Sequence, residues 1–200
     1  MNIPADLLTS AFRSVLEARS ATYIASPITG GRRYFEWRRR YPERPATAED
    51  DTFLTDVIVA NRLASAAVAS AVRARLHTPA IDPAQLRDVL GWTQPDYRLF
   101  WQKVIAEFCQ SIVLLTGWEL SIGCVSEFAV GAHLGLKIMT EDLEVLSASD
   151  GLTRIQDAFR EIERAGFAAG DIRRHVDAAL ADAREFRPYG ERFDLAGEAK

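Results

Sequence analysis

The sequence predicts an α/β fold: a Rossmann- or flavodoxin-like, mostly parallel sheet of about four to five strands, flanked by helices, with extra C-terminal helices. Three short apolar runs, ATYIASP, SIVLL and LKIMT, have the length and composition of buried strands. Helical segments separate them, as the crossovers between parallel strands require. With 200 residues, 48% of them apolar, the chain can bury one full-sized core. We therefore expect a single domain over residues 1–200, with a core of about 20–145 and a helical extension of about 150–186.

The first half of the chain is expected to hold two helices around the first strand. Leu8, Phe12 and Leu16 lie on a helical stripe, whereas the glycines of ITGGRRYFEW indicate a loop that leaves the strand. The later alanine-rich segment has both the composition and the period of a helix. The predicted elements are a helix over 5–18, a strand over 21–27, a loop over 28–37, an exposed connection over 38–52, a helix over 55–76 and an extended piece over 77–86.

The second half repeats the alternation of helix and strand. DYRLFWQKVIAEF is amphipathic with helical spacing, and the two apolar strands that follow it enclose a segment rich in small residues. The predicted elements are a helix over 96–108, a strand over 111–115, a helix over 121–135, a strand over 136–140, two helices near 151–166 and 170–185, and a polar tail over 187–200.

Composition excludes several classes of partner. A net charge of -4 and a pI near 5.5 give no overall electrostatic reason to bind nucleic acid or an anionic membrane. The N-terminus lacks a basic segment followed by an apolar one, and no run approaches about 18 consecutive apolar residues. Cys109 and Cys124 have no His or Cys at metal-ligand spacing, which indicates reduced core residues. We expect a cytoplasmic protein with no nucleic-acid or membrane partner, no metal and no cofactor.

Two loops follow strands at the edge where open α/β sheets bind ligands. They are SPITGGRR, after the first strand, and TGWELSIG, after SIVLL. Each can present backbone N–H groups at the N-terminus of a helix, where the peptide dipoles favour an anion. The sequence therefore predicts a phosphate or carboxylate ligand.

Glu127 is the one carboxylate between Leu120 and Leu136, a stretch that contains no Lys or Arg. On a helix it would be surrounded by small and apolar residues such as Gly123 and Val130. One interpretation places it in the first turns for a favourable interaction with the helix dipole, facing solvent. The other makes it a partly desolvated nucleophile or base in a glycine-lined pocket. Spacing alone does not choose between them.

The motifs YIASPITGG and LLTGWELSIGCVSEFAVGAHLGL resemble the nucleoside 2-deoxyribosyltransferase superfamily over roughly residues 20 to 140. The similarity is greatest to a bacterial branch with a GWE-S-G...E signature, related to nucleotide N-glycosidases. The resemblance implies that Glu127 is the catalytic glutamate, with Ser121 six positions and Gly123 four positions before it. It also implies that Ser26 and Ser121 hold a 5′-phosphate and that the Tyr23 hydroxyl holds the nucleophile.

The reaction implied by the resemblance is cleavage or exchange at an N-glycosidic bond. Glu127 would attack C1′ and form a covalent glycosyl-enzyme. Relatives often carry an aspartate that would fall near Val104, where this chain has none. Asp96 and Glu119 are the nearest replacements, and each is equally consistent with a solvated loop residue, so the general acid is unassigned and Asp96 is carried as a catalytic candidate. The expected substrate- and phosphate-binding residues are Ser26, Thr29, Gly30, Gly31, Arg32, Trp118, Ser121 and Gly123.

Two functions from different classes remain open. The chain is either an N-glycosidase or deoxyribosyltransferase-like enzyme acting on a nucleoside or its 5′-monophosphate, or a non-catalytic nucleotide or sugar-phosphate binding module with the same fold. Relatives complete each active site with residues from a neighbouring subunit, and the helix from Thr55 to Leu76 is rich in Ala and Val. We therefore expect a homodimer or a dimer of dimers.

Overall fold

The computed structural model describes residues 5–86 and 89–185 and has a four-stranded parallel sheet with the strand order β2-β1-β3-β4. The strands are β1 (Ala21–Ala25), β2 (Ala80–Ile81), β3 (Cys109–Leu114) and β4 (Lys137–Thr140). Tyr23 pairs with Ile81 on one side and with Ile112 on the other. The predicted α/β fold with a parallel sheet is confirmed. The expected polar tail over 187–200 lies outside the described residues.

Helices cover both faces of the sheet. They are α1 (Ala5–Arg13), α2 (Gly31–Arg40), α3 (Asp51–Phe53), a π-helical segment (Leu54–Val59), α4 (Ala60–Leu76), α5 (Gln94–Phe108), α6 (Ile122–His133), α7 (Ala148–Arg164) and α8 (Gly170–Glu185). Short 3₁₀ turns occupy Pro83–Gln85 and Trp118–Leu120.

Alternation along the strands divides the core into two layers. Tyr23 and Ile112 belong to the larger apolar cluster, which includes residues of α5, α6, α7 and α8. Ile24 and Val113 point to the opposite face, where they pack with Val72 of α4. Side chains of adjacent strand residues point to opposite faces, and both faces of this sheet are covered, so β1 is buried along its whole length.

The predicted loop over 28–37 is wrong in its second part, because α2 begins at Gly31. Phe35 and Trp37 are buried on different sides of this helix: Phe35 packs against Phe167, and Trp37 packs against Phe53. The burial of these aromatic side chains stabilises a helix that the preceding glycines obscure. The predicted helix over 5–18 also ends early, at Arg13.

The long helix that runs from Asp51 to Leu76 is also longer than predicted. Asp50 begins it, because its Oδ1 accepts hydrogen bonds from the backbone N–H groups of Thr52 and Phe53 at 2.9 and 3.0 Å. By length and composition this helix could cross a membrane, with a mean hydropathy of 1.3 over its most apolar window, although it includes Asp56. Helices of soluble cores meet the same criterion, so the absence of a membrane partner stays a prediction.

Two glycines let the loop after β1 and the loop after β3 pack backbone against backbone. Gly117 has a φ of +85°, and a Cβ there would lie 2.7 Å from the backbone nitrogen of Arg32. Gly31 has a φ of +74°, and a Cβ there would lie 3.1 Å from the carbonyl oxygen of Gly117. Larger residues would force the loops apart.

Gly117→Ala tests this contact, with Gly135→Ala as the matched control. Gly135 also has a positive φ, +66°, but a Cβ there would meet nothing within 4 Å. We expect Gly135→Ala to lower the free energy of unfolding by about 1 kcal/mol, the cost of a left-handed alanine, and Gly117→Ala to lower it by roughly 2–4 kcal/mol. Urea unfolding measures both. Equal losses would contradict the steric argument.

Candidate active site

Tyr23 and Glu127 form the centre of the candidate site. Tyr23 lies in the middle of β1 with its side chain toward α6, and Glu127 lies in the second turn of α6. The Tyr23 hydroxyl donates a hydrogen bond to Glu127 Oε1 at 2.6 Å. Tyr23 is fully buried, and its ring meets Trp101 of α5 edge to face, with centroids 6.0 Å apart. The structure therefore brings together the two residues that the sequence paired through resemblance.

Burial sets the electrostatics of this pair. Desolvation raises the pKa of Glu127 to about 8, although the hydrogen bond from Tyr23 acts in the opposite direction. Desolvation and the neighbouring Glu127 raise the pKa of Tyr23 well above its usual value, so the tyrosine keeps its proton. Below pH 8 the carboxyl group is mostly neutral, and the nucleophilic carboxylate becomes the main form above that pH.

The N-termini of α2 and α6 meet beside this pair. Gly30 and Ser121 occupy the N-cap positions, neither caps its helix with a side-chain hydrogen bond, and neither helix has an acidic residue in its first turn. A Cβ at Gly30 would lie 4.0 Å from the Cα of Ser121. Backbone N–H groups of two helices thus converge without a protein carboxylate, an arrangement suited to an anion.

Space for a ligand remains above the first turn of α6. Apart from the backbone of its own helix, a Cβ added at Gly123 would come within 4.0 Å of one atom, the Ser121 Oγ. Gly123 lies four residues before Glu127, on the same face of the helix. The Ser121 side chain opposes the rise in pKa that burial gives the Cys124 thiol. Thr29 is exposed in the opposite loop, and the Ser26 hydroxyl makes a hydrogen bond of 3.3 Å to the Pro27 carbonyl oxygen.

Two residues that the sequence assigned to the site have other partners. The Arg32 guanidinium pairs with both oxygens of Glu161, at 2.7 and 3.0 Å. Trp118 is 2% exposed and packs against Phe128, so its ring face is not available for stacking on a base. Neither partner could be identified from spacing, because both contacts join separate elements.

Asp96, the candidate acid, closes a capping box at the start of α5. Its Oδ2 accepts hydrogen bonds from the Thr93 backbone nitrogen at 2.7 Å and from the Thr93 hydroxyl at 2.6 Å. The bond from the Thr93 hydroxyl is the largest of the effects that lower the pKa of Asp96. A carboxylate held in its charged form is poorly suited to donate a proton.

Two buried polar residues support the site and were missed from the sequence. Asn61, next to the π-helical segment, donates from Nδ2 to the Ile28 carbonyl oxygen at 3.0 Å and so holds the loop after β1. Gln102 of α5 donates from Nε2 to the hydroxyl of Ser126, adjacent to Glu127, at 2.9 Å. A polar residue on the apolar face of an amphipathic helix was the available signal for both.

Two surface depressions lie near these loops, and neither includes Glu127 among its lining residues. One, of about 160 Å³, is bounded by α2 and α7 and includes Arg39 and Phe167. The other, of about 270 Å³, lies beyond the ends of β3 and β4 and includes Glu119 and Arg154. Within residues 5–86 and 89–185, no group of three or more His, Cys, Asp or Glu side chains could hold a metal ion.

Comparison with known proteins found no matching family model, no matching curated protein and no matching solved structure.

The pH dependence of stability tests the burial of Glu127. In the unfolded chain this carboxyl group ionises near pH 4.5, whereas in the folded protein it keeps its proton to about pH 8. The stability that the protonated Glu127 carboxyl group contributes is therefore lost as pH rises from about 4.5 to about 8. We expect Glu127→Gln to gain stability relative to wild type, by on the order of 2 kcal/mol, as pH increases from 5 to 8. Urea unfolding of both proteins at each pH measures the difference.

Glu163→Gln is the control, because Glu163 lies on the surface paired with Arg173 at 3.2 Å. It should not gain stability relative to wild type with rising pH. If Glu127→Gln and wild type keep a constant difference from pH 5 to 8, the carboxyl group is not desolvated.

Proposed function

We propose that this chain cleaves or transfers the N-glycosidic bond of a nucleoside 5′-monophosphate or nucleoside, with Glu127 as the nucleophile. The observation that carries the proposal is the 2.6 Å hydrogen bond from a fully buried tyrosine to Glu127. A carboxylate with only a structural role has a lower free energy in water than when it is buried on the apolar face of a helix. A carboxyl group kept in such a place, beside a site suited to an anion, supports a catalytic role.

The geometry divides the two oxygens of the carboxyl group between two tasks. Tyr23 engages Oε1 and fixes the orientation of the group, and Oε2 is left to attack C1′ of the sugar. The C1′–N bond breaks as the C1′–O bond forms, through a transition state with oxocarbenium character. Water or a second base then attacks C1′ and releases the carboxylate.

The phosphate has a matching place at the N-termini of α2 and α6. The helices that begin after Gly30 and Ser121 direct backbone N–H groups there that no side chain caps, and Gly123 leaves room between the phosphate and Glu127. A 5′-phosphate bound at that point would hold the sugar over the carboxyl group, so that binding energy from a non-reacting part of the substrate orients C1′.

We also propose that the chain assembles as a homodimer or a dimer of dimers through the helix that contains α4. Leu63 and Val59 are 66% and 40% exposed on this helix, and they are flanked by alanines. Small residues would let the same helix of a second copy approach closely.

Replacing Glu127 by Gln tests the enzyme proposal. The amide keeps the size of the side chain and can still accept the hydrogen bond from Tyr23, but it cannot form a glycosyl ester. We expect turnover of a nucleoside 5′-monophosphate to fall on the order of 10³-fold or more while ligand binding is largely kept. Release of the free base is followed by chromatography, with Glu163→Gln as the surface control. Turnover at the wild-type rate in Glu127→Gln would show that Glu127 is not the nucleophile, whereas no release of free base by wild type would leave only the binding-module alternative.

Thermal denaturation with ligands tests the phosphate site separately. A ligand that binds only the folded state raises the melting temperature according to its affinity. We expect nucleoside 5′-monophosphates to raise it more than the matching nucleosides. Gly30→Asp, which adds a carboxylate at the converging N-termini, should remove the difference. Equal shifts for both ligands in wild type would show that the phosphate is not held there.

A further inference from the structure

The helices α5 and α6 pack against each other, and both contribute to the larger apolar cluster through residues such as Val104 and Ala129. Apolar contacts are not directional, so they hold two helices together without fixing one rotation or one register. A hydrogen bond between buried side chains fixes both, because a shift of either helix leaves a polar group without its partner. The position of Glu127 on α6 therefore depends on which polar contacts cross this interface.

One such contact joins Gln102 of α5 to Ser126 of α6. The Gln102 Nε2 donates to the Ser126 hydroxyl at 2.9 Å, and the two residues are 8% and 0% exposed. A hydroxyl buried at this depth is costly without a partner, so the contact resists any movement that would break it. Ser126 directly precedes Glu127, and consecutive residues of an α-helix lie about 100° apart around its axis. Holding Ser126 against α5 thus fixes the direction in which the Glu127 side chain leaves the helix.

The neighbouring residue of α5 contacts the other member of the catalytic pair. Trp101 meets the Tyr23 ring edge to face, with centroids 6.0 Å apart. Tyr23 is fully buried on β1 and donates its 2.6 Å hydrogen bond to Glu127. Consecutive residues of one helix therefore act on both sides of the Tyr23–Glu127 hydrogen bond. A displacement of α6 by about 1 Å along the direction of this bond would lengthen it beyond hydrogen-bonding distance.

We infer that Gln102 is a positioning residue, which holds α6 through Ser126 so that Glu127 keeps its hydrogen bond from Tyr23. The catalytic consequence rests on the proposed function, because the same contact then keeps Oε2 of Glu127 directed at C1′. A misplacement of about 1 Å can cost on the order of 10²-fold in rate, so a hydrogen bond that acts only through the helix affects turnover. In this role Gln102 takes no part in the chemistry.

The titration of Glu127 reports on this role independently of turnover. Burial raises the pKa of Glu127 to about 8, and the hydrogen bond from Tyr23 lowers it. Loss of that hydrogen bond should therefore raise the pKa of Glu127 further. Within residues 5–86 and 89–185, the titratable groups that interact with Glu127 are Tyr23 of β1 and Cys124 of α6. Burial raises the pKa of both, so both stay protonated while Glu127 titrates.

Gln102→Met in the full chain tests the inference, because methionine keeps the length and apolar packing of the side chain but cannot donate a hydrogen bond. Ser126→Ala removes the acceptor with a smaller change and carries the test if the first variant does not fold. In each variant we expect the midpoint of the Glu127 titration, followed by NMR of isotope-labelled glutamate carboxyl groups, to rise by about one pH unit. We expect kcat for a nucleoside 5′-monophosphate to fall by about 10–10²-fold, with a smaller change in KM.

A double variant and a matched control separate positioning from a loss of stability. Gln102→Met combined with Ser126→Ala should shift the midpoint no further than either single change, since both remove one contact. Ser65→Ala is the control, because Ser65 is fully buried on α4, which covers the opposite face of the sheet, and donates to Asp82 Oδ1 at 2.6 Å. This control should lower the free energy of unfolding and leave the Glu127 midpoint and kcat unchanged.

The outcomes distinguish the inference from the proposed function. If Gln102→Met and Ser126→Ala lose stability in urea but keep the wild-type midpoint, the contact is only structural and the inference is overturned, while the proposed function stands. Additive shifts in the double variant would also overturn it, because Gln102 would then act by another route. If the midpoint rises as expected but wild type releases no free base, the proposed function fails and the positioning of Glu127 by Gln102 stands.

Discussion

The close approach of the loop after β1 to the loop after β3 is the constraint on which the site depends. Gly31 and Gly117 allow it, because any side chain at Gly117 would meet the backbone of the opposite loop. The approach brings the N-termini of α2 and α6 together, and it sets α6 at the depth where Glu127 meets the Tyr23 hydroxyl. Asn61 also holds the loop after β1, because its side-chain amide donates a hydrogen bond to the Ile28 carbonyl oxygen. The convergence of the two helix N-termini and the position of the Glu127 carboxyl group thus both depend on one backbone contact.

The sequence predicted the sheet because its strands are encoded locally. The three apolar runs are strands, and Gly123 and Glu127, four residues apart, lie on one face of α6, which begins directly after Ser121. Glycine content obscured α2, whose stability comes from burying Trp37 against Phe53 of the helix that starts at Asp51 and Phe35 against Phe167, contacts that local propensity does not contain. The predicted helix boundaries were wrong for the same reason.

Roles that depend on a distant partner were not predictable. Arg32 pairs with Glu161, which lies 129 residues further along the chain, and Trp118 fills the core against Phe128. Asp96 is the exception, because its partner Thr93 is only three residues away and the pair is a readable capping box. That signal favoured a structural role for Asp96 from the start. Gln102 and Asn61 were overlooked because their hydrogen-bond partners, Ser126 and the Ile28 carbonyl oxygen, lie in other elements.

The burial of Glu127 creates a conflict that any function of this site must resolve. Removing water makes a carboxylate more reactive toward an electrophilic carbon, but it also holds the group in its neutral form up to about pH 8. Tyr23 offsets only part of that cost, since its hydrogen bond favours the charged form while burial opposes it. A fixed Lys or Arg would resolve the conflict permanently but would also neutralise the carboxylate.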